Sequence, residues 1–401
     1  RLGVDVRVAT TNANGKTKLD VDTSRPVAFE PNYRVRYYED TIINRFSLAF
    51  TLGLPRDVRD ADVVHLQDVF SLHAAWALFL CWWRRIPVLI SPRGVFSEWA
   101  LAQRRLLKRA WLRGLVFPWC RDRRRVAFHA TSEEEAVDIE RLFSRHRVFV
   151  VPNGIDCAEF GRCEVPAREA YLRRFWPACP VPASEATVAV GLGRIHLKKA
   201  FEVAIEALSL LRSSHRGLIL MIAGADDGDL ERLEKIVSRL GLRDRVYFAG
   251  PLTGTEKIAF LKGADVFLFP SHSENFGLAC LEALAAGLPV VASRNTPWRA
   301  IEEAGAGKWV ENAPEAFARA LGELLARPRE PMRAAALEVA RRFDLREIAR
   351  QFVRIYGDIL DAGEVVRSRG DQEPRARSIR RSRQHRDEAD RTERADHTIS
   401  R

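Results

Sequence analysis

The sequence predicts an α/β protein of two parallel-sheet domains, and three observations carry that prediction. Short β-rich runs alternate with stretches of helical periodicity. The alternation breaks once, at a segment containing Pro166, Pro177, Pro180 and Pro182, and then restarts. At 401 residues and 47% hydrophobic, the chain is long enough for two domains, each with a core of its own.

In chain order, Leu2-Gly3 reads as the end of a helix at a glycine cap, followed by a strand over Val4–Ala9. Further strands are expected at Asp62–Leu66, Pro87–Ser91, Val126–Ala130 and Arg147–Val151, with helices near Ser71–Trp83, Gln103–Trp119 and Ser132–Phe143. Asn14-Gly15-Lys16-Thr17 lacks the earlier glycine of a phosphate loop and reads as a turn. Strands then recur at Thr187–Gly191, Leu218–Ala223, Arg245–Ala249, Asp265–Phe269 and Pro289–Ala292. Helix Phe201–Leu211 carries its apolar stripe at Phe201, Ala204, Ile205, Leu208 and Leu211.

The expected organisation is therefore two Rossmann-like domains facing each other across a cleft. Residues 1–165 form the first, 166–186 a linker, 187–344 the second, 345–362 a helix crossing back, and 363–401 a disordered charged tail. A doubly wound unit places a strand, a Gly-rich turn and a helix ahead of its second strand. Because the sequence opens at Arg1, the first domain is expected to be truncated at that end.

Composition narrows the function classes. Six cysteines with no CxxC pair read as reduced thiols of a cytoplasmic protein, with neither a disulfide framework nor a zinc site. The longest apolar run, Ala74 to Trp83, is far short of the roughly 18 residues of a spanning helix. A net charge of +11 calls for a negatively charged partner or surface. Much of it lies in Arg104, Arg105, Lys108, Arg109, Arg113, Arg121, Arg123, Arg124 and Arg125, interleaved with Trp111, Phe117 and Trp119. Two readings stay open for that stretch: attachment to an anionic membrane surface, or a solvated basic helix whose tryptophans are core. Nucleic acid is not expected, since no binding motif accompanies the charge.

The most informative segment runs from Glu274 to Glu282. A strand ending at Pro270 leads to Glu274 in a loop, then Asn275, Phe276, Gly277 and Leu278 open a helix that carries Glu282. The helix start offers unsatisfied N–H groups to a diphosphate, and Gly277 allows close approach. One carboxylate then accepts hydrogen bonds from sugar hydroxyls and the other from ribose hydroxyls. Two surface glutamates on an amphipathic helix are the bland alternative, outweighed by the order strand, Pro-Ser, Glu, Phe-Gly, small-residue helix, Gly-Leu-Pro, strand.

This element resembles the paired-glutamate signature of glycosyltransferase family 4, retaining enzymes of GT-B fold that use nucleotide sugars. A second element, Gly191-Leu192-Gly193-Arg194-Ile195-His196-Leu197-Lys198-Lys199, resembles the family's Gly-Arg and Lys-Gly pieces, with Ala200 where Gly is usual. The resemblance implies that Gly193 admits the donor while Arg194 and Lys199 grip its diphosphate, with no metal required. Glu274, Arg194 and Lys199 are the expected catalytic residues; Gly193, Asn275, Phe276, Gly277, Leu278 and Glu282 are expected to bind the donor.

In the first half, Asp62–Leu66 ends with His65 near a strand tip, Ser91-Pro92-Arg93-Gly94 follows another, and Val151-Pro152-Asn153-Gly154-Ile155-Asp156 is a turn. All three resemble family elements, which places His65, Arg93, Gly94 and Asn153 on the acceptor or cleft side. Many relatives carry His where this chain has Arg93. Both His65 and His129 also fit packed strand-end histidines. The resemblance spans roughly Leu2 to Leu360 and implies a retaining, metal-independent transferase. Its expected partners are a nucleotide-sugar donor and a saccharide or lipid-linked saccharide acceptor, in surface polysaccharide assembly on the inner face of the plasma membrane. The rivals are a nucleotide-sugar epimerase of the same fold and a non-catalytic protein that binds a nucleotide sugar or a partner.

Overall fold

In the computed structural model, which describes residues 2–14, 17–40 and 46–367, the chain divides into two units. Unit 1 takes in the residues up to Ala130, Asp138–Phe149 and the chain from Arg350 on; unit 2 takes in Thr131–Val137 and Val150–Ala349.

Unit 1 opens with β1 (Val6–Thr11), β2 (Ala13–Asn14), β3 (Thr17–Lys18), β4 (Val27–Glu30) and β5 (Tyr33–Tyr38). The expected first strand does exist, but it does not join the βα sheet. It pairs in parallel with β5, which pairs antiparallel with β4, in a separate three-stranded sheet. Along β5, Arg34 and Arg36 interrupt the apolar residues, so β-strand patterning there is masked by charge. Gly15 and Lys16 of the expected turn lie outside the described residues, between the paired β2 and β3.

Next come α1 (Leu48–Asp57), β6 (Val64–Leu66), α2 (Leu72–Arg84), β7 (Val88–Ile90), α3 (Glu98–Ala102), α4 (Arg105–Trp111), β8 (Val126–Ala130), α5 (Glu133–Phe143) and β9 (Arg147–Val150). Strands β6, β7, β8 and β9 are adjacent in that order in one sheet, with β6, β7 and β8 paired in parallel. The single helix expected over Gln103–Trp119 is broken. Helix α3 ends at an extended Gln103, and Arg104, left-handed at φ 54, precedes α4, which runs on as a π-helical turn over Leu112–Val116.

Unit 2 begins with α6 (Cys157–Arg162) and α7 (Arg168–Phe175). That second helix occupies the segment expected to be a linker. Its Tyr171, Leu172 and Phe175 are buried, Tyr171 donates its hydroxyl to the Phe260 carbonyl at 2.9 Å, and Arg168 pairs with the buried Asp265 at 2.6 Å. The prolines flank a docked helix, and the segment 166–186 contributes Tyr171, Leu172, Phe175, Trp176 and Val181 to the core of this unit.

The unit continues through β10 (Thr187–Leu192), α8 (Phe201–Leu211), β11 (Leu218–Ala223), α9 (Leu230–Arg239), β12 (Val246–Gly250), α10 (Gly254–Lys262), β13 (Val266–Phe269), α11 (Leu278–Ala285), β14 (Val290–Ser293), α12 (Ala300–Glu303), β15 (Gly307–Val310), α13 (Pro314–Leu325) and α14 (Arg329–Arg341). Helix α15 (Leu345–Arg367) starts in unit 2 and continues in unit 1, five residues beyond the expected end at 362. Residues 368–401, most of the expected tail, lie outside the described residues.

All six strands of unit 2 run parallel in the order β12-β11-β10-β13-β14-β15. Numbered within the unit this is 3-2-1-4-5-6, the doubly wound arrangement. Alternate residues of each strand feed different cores: Val188, Val190, Met221 and Phe267 on one face, Ala189, Leu220, Ile222 and Leu268 on the other. Burial on both faces explains the unbroken apolar runs of these strands. The strand order reverses between β10 and β13, and that switch point is where such folds bind ligands.

Candidate functional site

The loops that leave the carboxyl ends of β10 and β13 flank the switch point, because the two strands are parallel neighbours. From the β10 side come Gly193, Arg194 and a 3₁₀ turn, Leu197–Lys199. From the β13 side come Ser271, Glu274, Asn275 and then α11. The two loops are tied together where the His272 N–H donates to the Lys198 carbonyl at 2.9 Å.

At their meeting point, Lys199 Nζ lies 2.6 Å from Glu274 Oε1, with side chains only 19% and 11% exposed. Ser271 donates its hydroxyl to the same carboxylate oxygen at 2.9 Å. The Lys199 ammonium also sits 5.7 Å from the centroid of the Phe269 ring, a cation–π contact. Gly193 makes room for this lysine: at φ 152, a Cβ there would stand 3.2 Å from Lys199 Cε. Next to it, Ala200 holds a left-handed φ of 50, the conformation that suits glycine.

Arg194 is in a different situation. It pairs with Asp227 at 2.5 Å, and the two side chains are 71% and 43% exposed. A third cation, Lys198, was not expected from the sequence. Burial lowers its pKa below the usual lysine value, the Glu274 charge raises it, and the neighbouring Lys199 and Arg194 lower it again. Arg194, Lys198 and Lys199 thus share one electrostatic neighbourhood with Glu274.

Helix α11 starts without a side-chain cap, since Gly277 precedes it, and no acid lies in its first turn. Both features favour an anion at the N-terminal end of the helix dipole. Gly277 stands at φ 86, where a Cβ would be 2.7 Å from the Phe269 ring, so the turn into the helix requires glycine. Leu278 is exposed at the first helical position. The Phe276 side chain, expected near the donor, is instead buried against Trp298 and Phe343, and Trp298 Nε1 donates to its carbonyl at 2.6 Å.

Glu282 occupies the next turn of α11 and is 9% exposed. Lys257 of α10 pairs with it at 2.6 Å. The two signature glutamates are therefore each held by a different lysine, and Lys257 carried no signal in the sequence. Asn275 is held as well: its Nδ2 donates to Thr131 Oγ1 at 2.6 Å and to Glu135 Oε2 at 2.9 Å. Glu135, 4% exposed, also accepts from the Thr131 N–H at 2.7 Å and hydroxyl at 2.9 Å. These partners, well over a hundred positions away in the chain, were invisible to local pattern reading.

The expected acceptor-side residues separate. His65, Arg93 and Gly94 lie in unit 1, while Asn153 lies in unit 2, in a turn whose Ile155 exchanges backbone hydrogen bonds with Phe343 and Leu345. Arg93 and Gly94 hold successive left-handed conformations at φ 58 and 77, and Arg93 donates through Nε and Nη2 to Gln67 Oε1 at 3.0 and 2.7 Å. His65 and His129 are packed histidines in one network. His65 Nδ1 is bonded to the Tyr356 hydroxyl at 2.8 Å and His65 Nε2 to Ser91 Oγ at 2.6 Å, and Ser91 Oγ reaches His129 Nδ1 at 2.6 Å. Burial, then the charges of His129 and Arg93, push the His65 pKa down to about 3, so this imidazole stays neutral.

Comparison with known proteins adds a classification to this geometry. Residues 1–159 match the model described as Glycosyltransferase Family 4, and residues 175–343 match Glycosyl transferases group 1. A D-inositol 3-phosphate glycosyltransferase of Xylanimonas cellulosilytica is 32% identical over 239 residues, covering 57% of this chain and 56% of that protein. A GDP-mannose-dependent alpha-(1-6)-phosphatidylinositol dimannoside mannosyltransferase of Mycobacterium tuberculosis is 33% identical over 223 residues, covering 55% and 54%. The chain spans about half the length of the curated relatives it matches. Among solved structures, Anabaena HepE in complex with UDP superposes with a TM-score of 0.65 at 17% identity, covering 80% of this chain and 86% of that one. The fold is that of the GT-B glycosyltransferases.

Proposed function

We propose that this chain, which belongs to glycosyltransferase family 4, moves a sugar from a nucleotide-sugar donor to a saccharide or lipid-linked saccharide, with retention at the anomeric carbon. The observation that carries the reading is the Lys199–Glu274 pair at the switch point of the unit 2 sheet, with Lys198 and Arg194 beside it. Such a cluster meets a diphosphate with cations from one loop and an uncapped helix start from the next.

The chemistry follows from what the residues offer. As the bond between the anomeric carbon and the diphosphate oxygen lengthens, negative charge builds on the leaving nucleotide. Lys199 and Arg194 stabilise that charge once the diphosphate replaces Glu274 and Asp227 as their partner. Freed from Lys199, Glu274 accepts hydrogen bonds from the donor sugar's hydroxyls. Glu282, with Lys257 beside it, serves the ribose. These roles ask for no metal ion.

The acceptor is the less constrained half. Two relatives are named for inositol phosphate and phosphatidylinositol dimannoside, which agrees with a polyol or lipid-linked acceptor. We place the protein in surface polysaccharide assembly, in the cytoplasm against the inner face of the plasma membrane. Among the described residues no helix is long and apolar enough to cross a membrane. Helix α4 supports attachment at the surface: Leu106 and Leu107 are 82% and 63% exposed, among Arg104, Arg105, Lys108 and Arg109.

Nucleotide diphosphate release over a panel of UDP, GDP and ADP sugars tests the reading. Release with one donor class, lost in the Arg194→Ala/Lys199→Ala double variant, is the expected result; near-normal rates in that variant overturn it. Donor binding without turnover would favour the non-catalytic alternative. Sedimentation with phosphatidylglycerol vesicles checks the surface assignment. Neutralising Arg104, Arg105, Lys108 and Arg109 is expected to abolish it, and indifference of the wild type to vesicles refutes it.

A further inference from the structure

The four-stranded sheet of unit 1 has a second feature, at the end opposite to the His65–Ser91–His129 network. A cavity of about 350 Å³ opens there, lined by Trp82, Trp83 and Arg85 at the end of α2 and by Trp119, Asp122 and Arg125 ahead of β8. Its floor includes Val88 and Val126, the first residues of β7 and β8, so it lies at the amino ends of the strands. Ligands of parallel sheets gather at the other end.

Three indoles in one cavity are notable for how they are left. Trp76, Trp111, Trp298 and Trp309 each donate the indole N–H to a backbone carbonyl. The indole N–H groups of Trp82, Trp83 and Trp119 have no hydrogen-bond partner among the described residues. Trp82 is 49% and Trp83 66% exposed, and the rings of Trp82 and Trp119 stand 4.9 Å apart at an interplanar angle of 51°. Exposed indole keeps an apolar face and a polar edge available together.

We propose that this cavity binds a saccharide chain, a carboxylated one in preference to a neutral one. The apolar C–H face of a sugar ring packs on indole. Its hydroxyls accept from the indole N–H groups and guanidinium groups and donate to Asp122. The volume falls in the range of ligand cavities that combine an aromatic wall with a few polar groups. Two arginines against one aspartate leave a positive balance, and Arg121, Arg123 and Arg124 follow in the same loop. A membrane-inserting surface would instead be convex and would not place a carboxylate at its mouth. The cavity lies in unit 1 and the loops proposed to bind the donor in unit 2, and its occupancy does not depend on turnover there.

The test is saturation-transfer NMR and indole fluorescence on the whole chain, titrated with hyaluronan hexasaccharide and with maltohexaose. Hyaluronan hexasaccharide is expected to bind the more tightly. Trp82→Ala with Trp83→Ala, both exposed, is expected to weaken it by about tenfold or more. Arg85→Asn, which tolerates the left-handed φ of 58, is expected to remove the preference for the carboxylated chain. No saturation transfer from either oligosaccharide at millimolar concentration overturns the proposal, as does binding unchanged in both variants. Binding of phosphatidylglycerol vesicles that is lost in these variants, without oligosaccharide binding, reassigns the cavity to lipid and also overturns it. Nucleotide diphosphate release measured on the same variants is expected to stay at the wild-type level, so failure here and failure of the transferase reading give different results.

Discussion

The carboxyl ends of the two parallel sheets are built from opposite materials. In unit 1 the strand ends carry a hydrogen-bonded chain, Tyr356, His65, Ser91 and His129, in which the His65 imidazole is held neutral. In unit 2 the equivalent loops carry ions, with Lys199 on Glu274, Arg194 on Asp227 and, one helix turn on, Lys257 on Glu282. A satisfied network whose central imidazole is held neutral gains little from a charged ligand. Paired ions do, because a diphosphate can take the cation and release the carboxylate. That difference is the reason the unit 2 loops are proposed as the end that meets a charged donor.

Removing one member from each network gives the largest separation. Lys199→Ala deletes the cation proposed to meet the leaving group and is expected to lower turnover by about 2.7–4 kcal/mol of transition-state stabilisation. Steady-state release of nucleotide diphosphate measures it. In the matched change, Ser91→Ala, two imidazole nitrogens lose their partner, which costs about 1–3 kcal/mol of stability in chemical denaturation. Donor affinity is expected to stay unchanged in that variant. Equal effects of the two substitutions on donor affinity would break the comparison.

What sequence could show of these ends follows from the range of the interactions. The strands β10, β11 and β13 announce themselves as apolar runs, because both faces are buried. Glu274, Glu282, Gly277 and Lys199 are readable from their order around those strands. Their partners are not: Lys257 sits on another helix, and Thr131 and Glu135 reach Asn275 from a different part of the chain. The same limit hid α7, whose buried Tyr171 and Phe175 lie between prolines that suggest a linker. It also hid the break at Arg104, since a left-handed arginine is set by its surroundings and not by its own preference.

A second experiment sharpens the contrast through pH. The His65 pKa is held near 3 in the folded protein, against about 6.5 for an unfolded chain. Between those values the unfolded state binds the extra proton, so stability is lost as pH falls and regained as it rises. The slope contributed is up to about 1.4 kcal/mol per pH unit. His129, Arg93 and Tyr356 face the ring, and the first two oppose a charge on it. In urea melts from pH 7 to pH 4, His65→Gln is expected to flatten the wild-type slope. An identical slope in both proteins would show that His65 is not held neutral.

The smallest effect concerns the most exposed ion pair, and it tests whether unit 2 ions await a ligand or merely decorate the surface. Arg194 and Asp227 are largely in solvent, where such a pair contributes about 0.2–1 kcal/mol at most. Asp227→Asn should therefore leave thermal stability nearly unchanged. If the donor must displace Asp227 to engage Arg194, the same substitution removes a competitor and raises donor affinity by up to about fivefold, the equivalent of that pair energy. Raising ionic strength should erase the gain, because screening weakens the pair in the wild type as well. Isothermal titration with the preferred nucleotide sugar at low and high salt reads both arms. Unchanged affinity at low salt would mean that Arg194 stays with solvent when the donor binds, leaving Lys199 and Lys198 as the cations that hold the diphosphate.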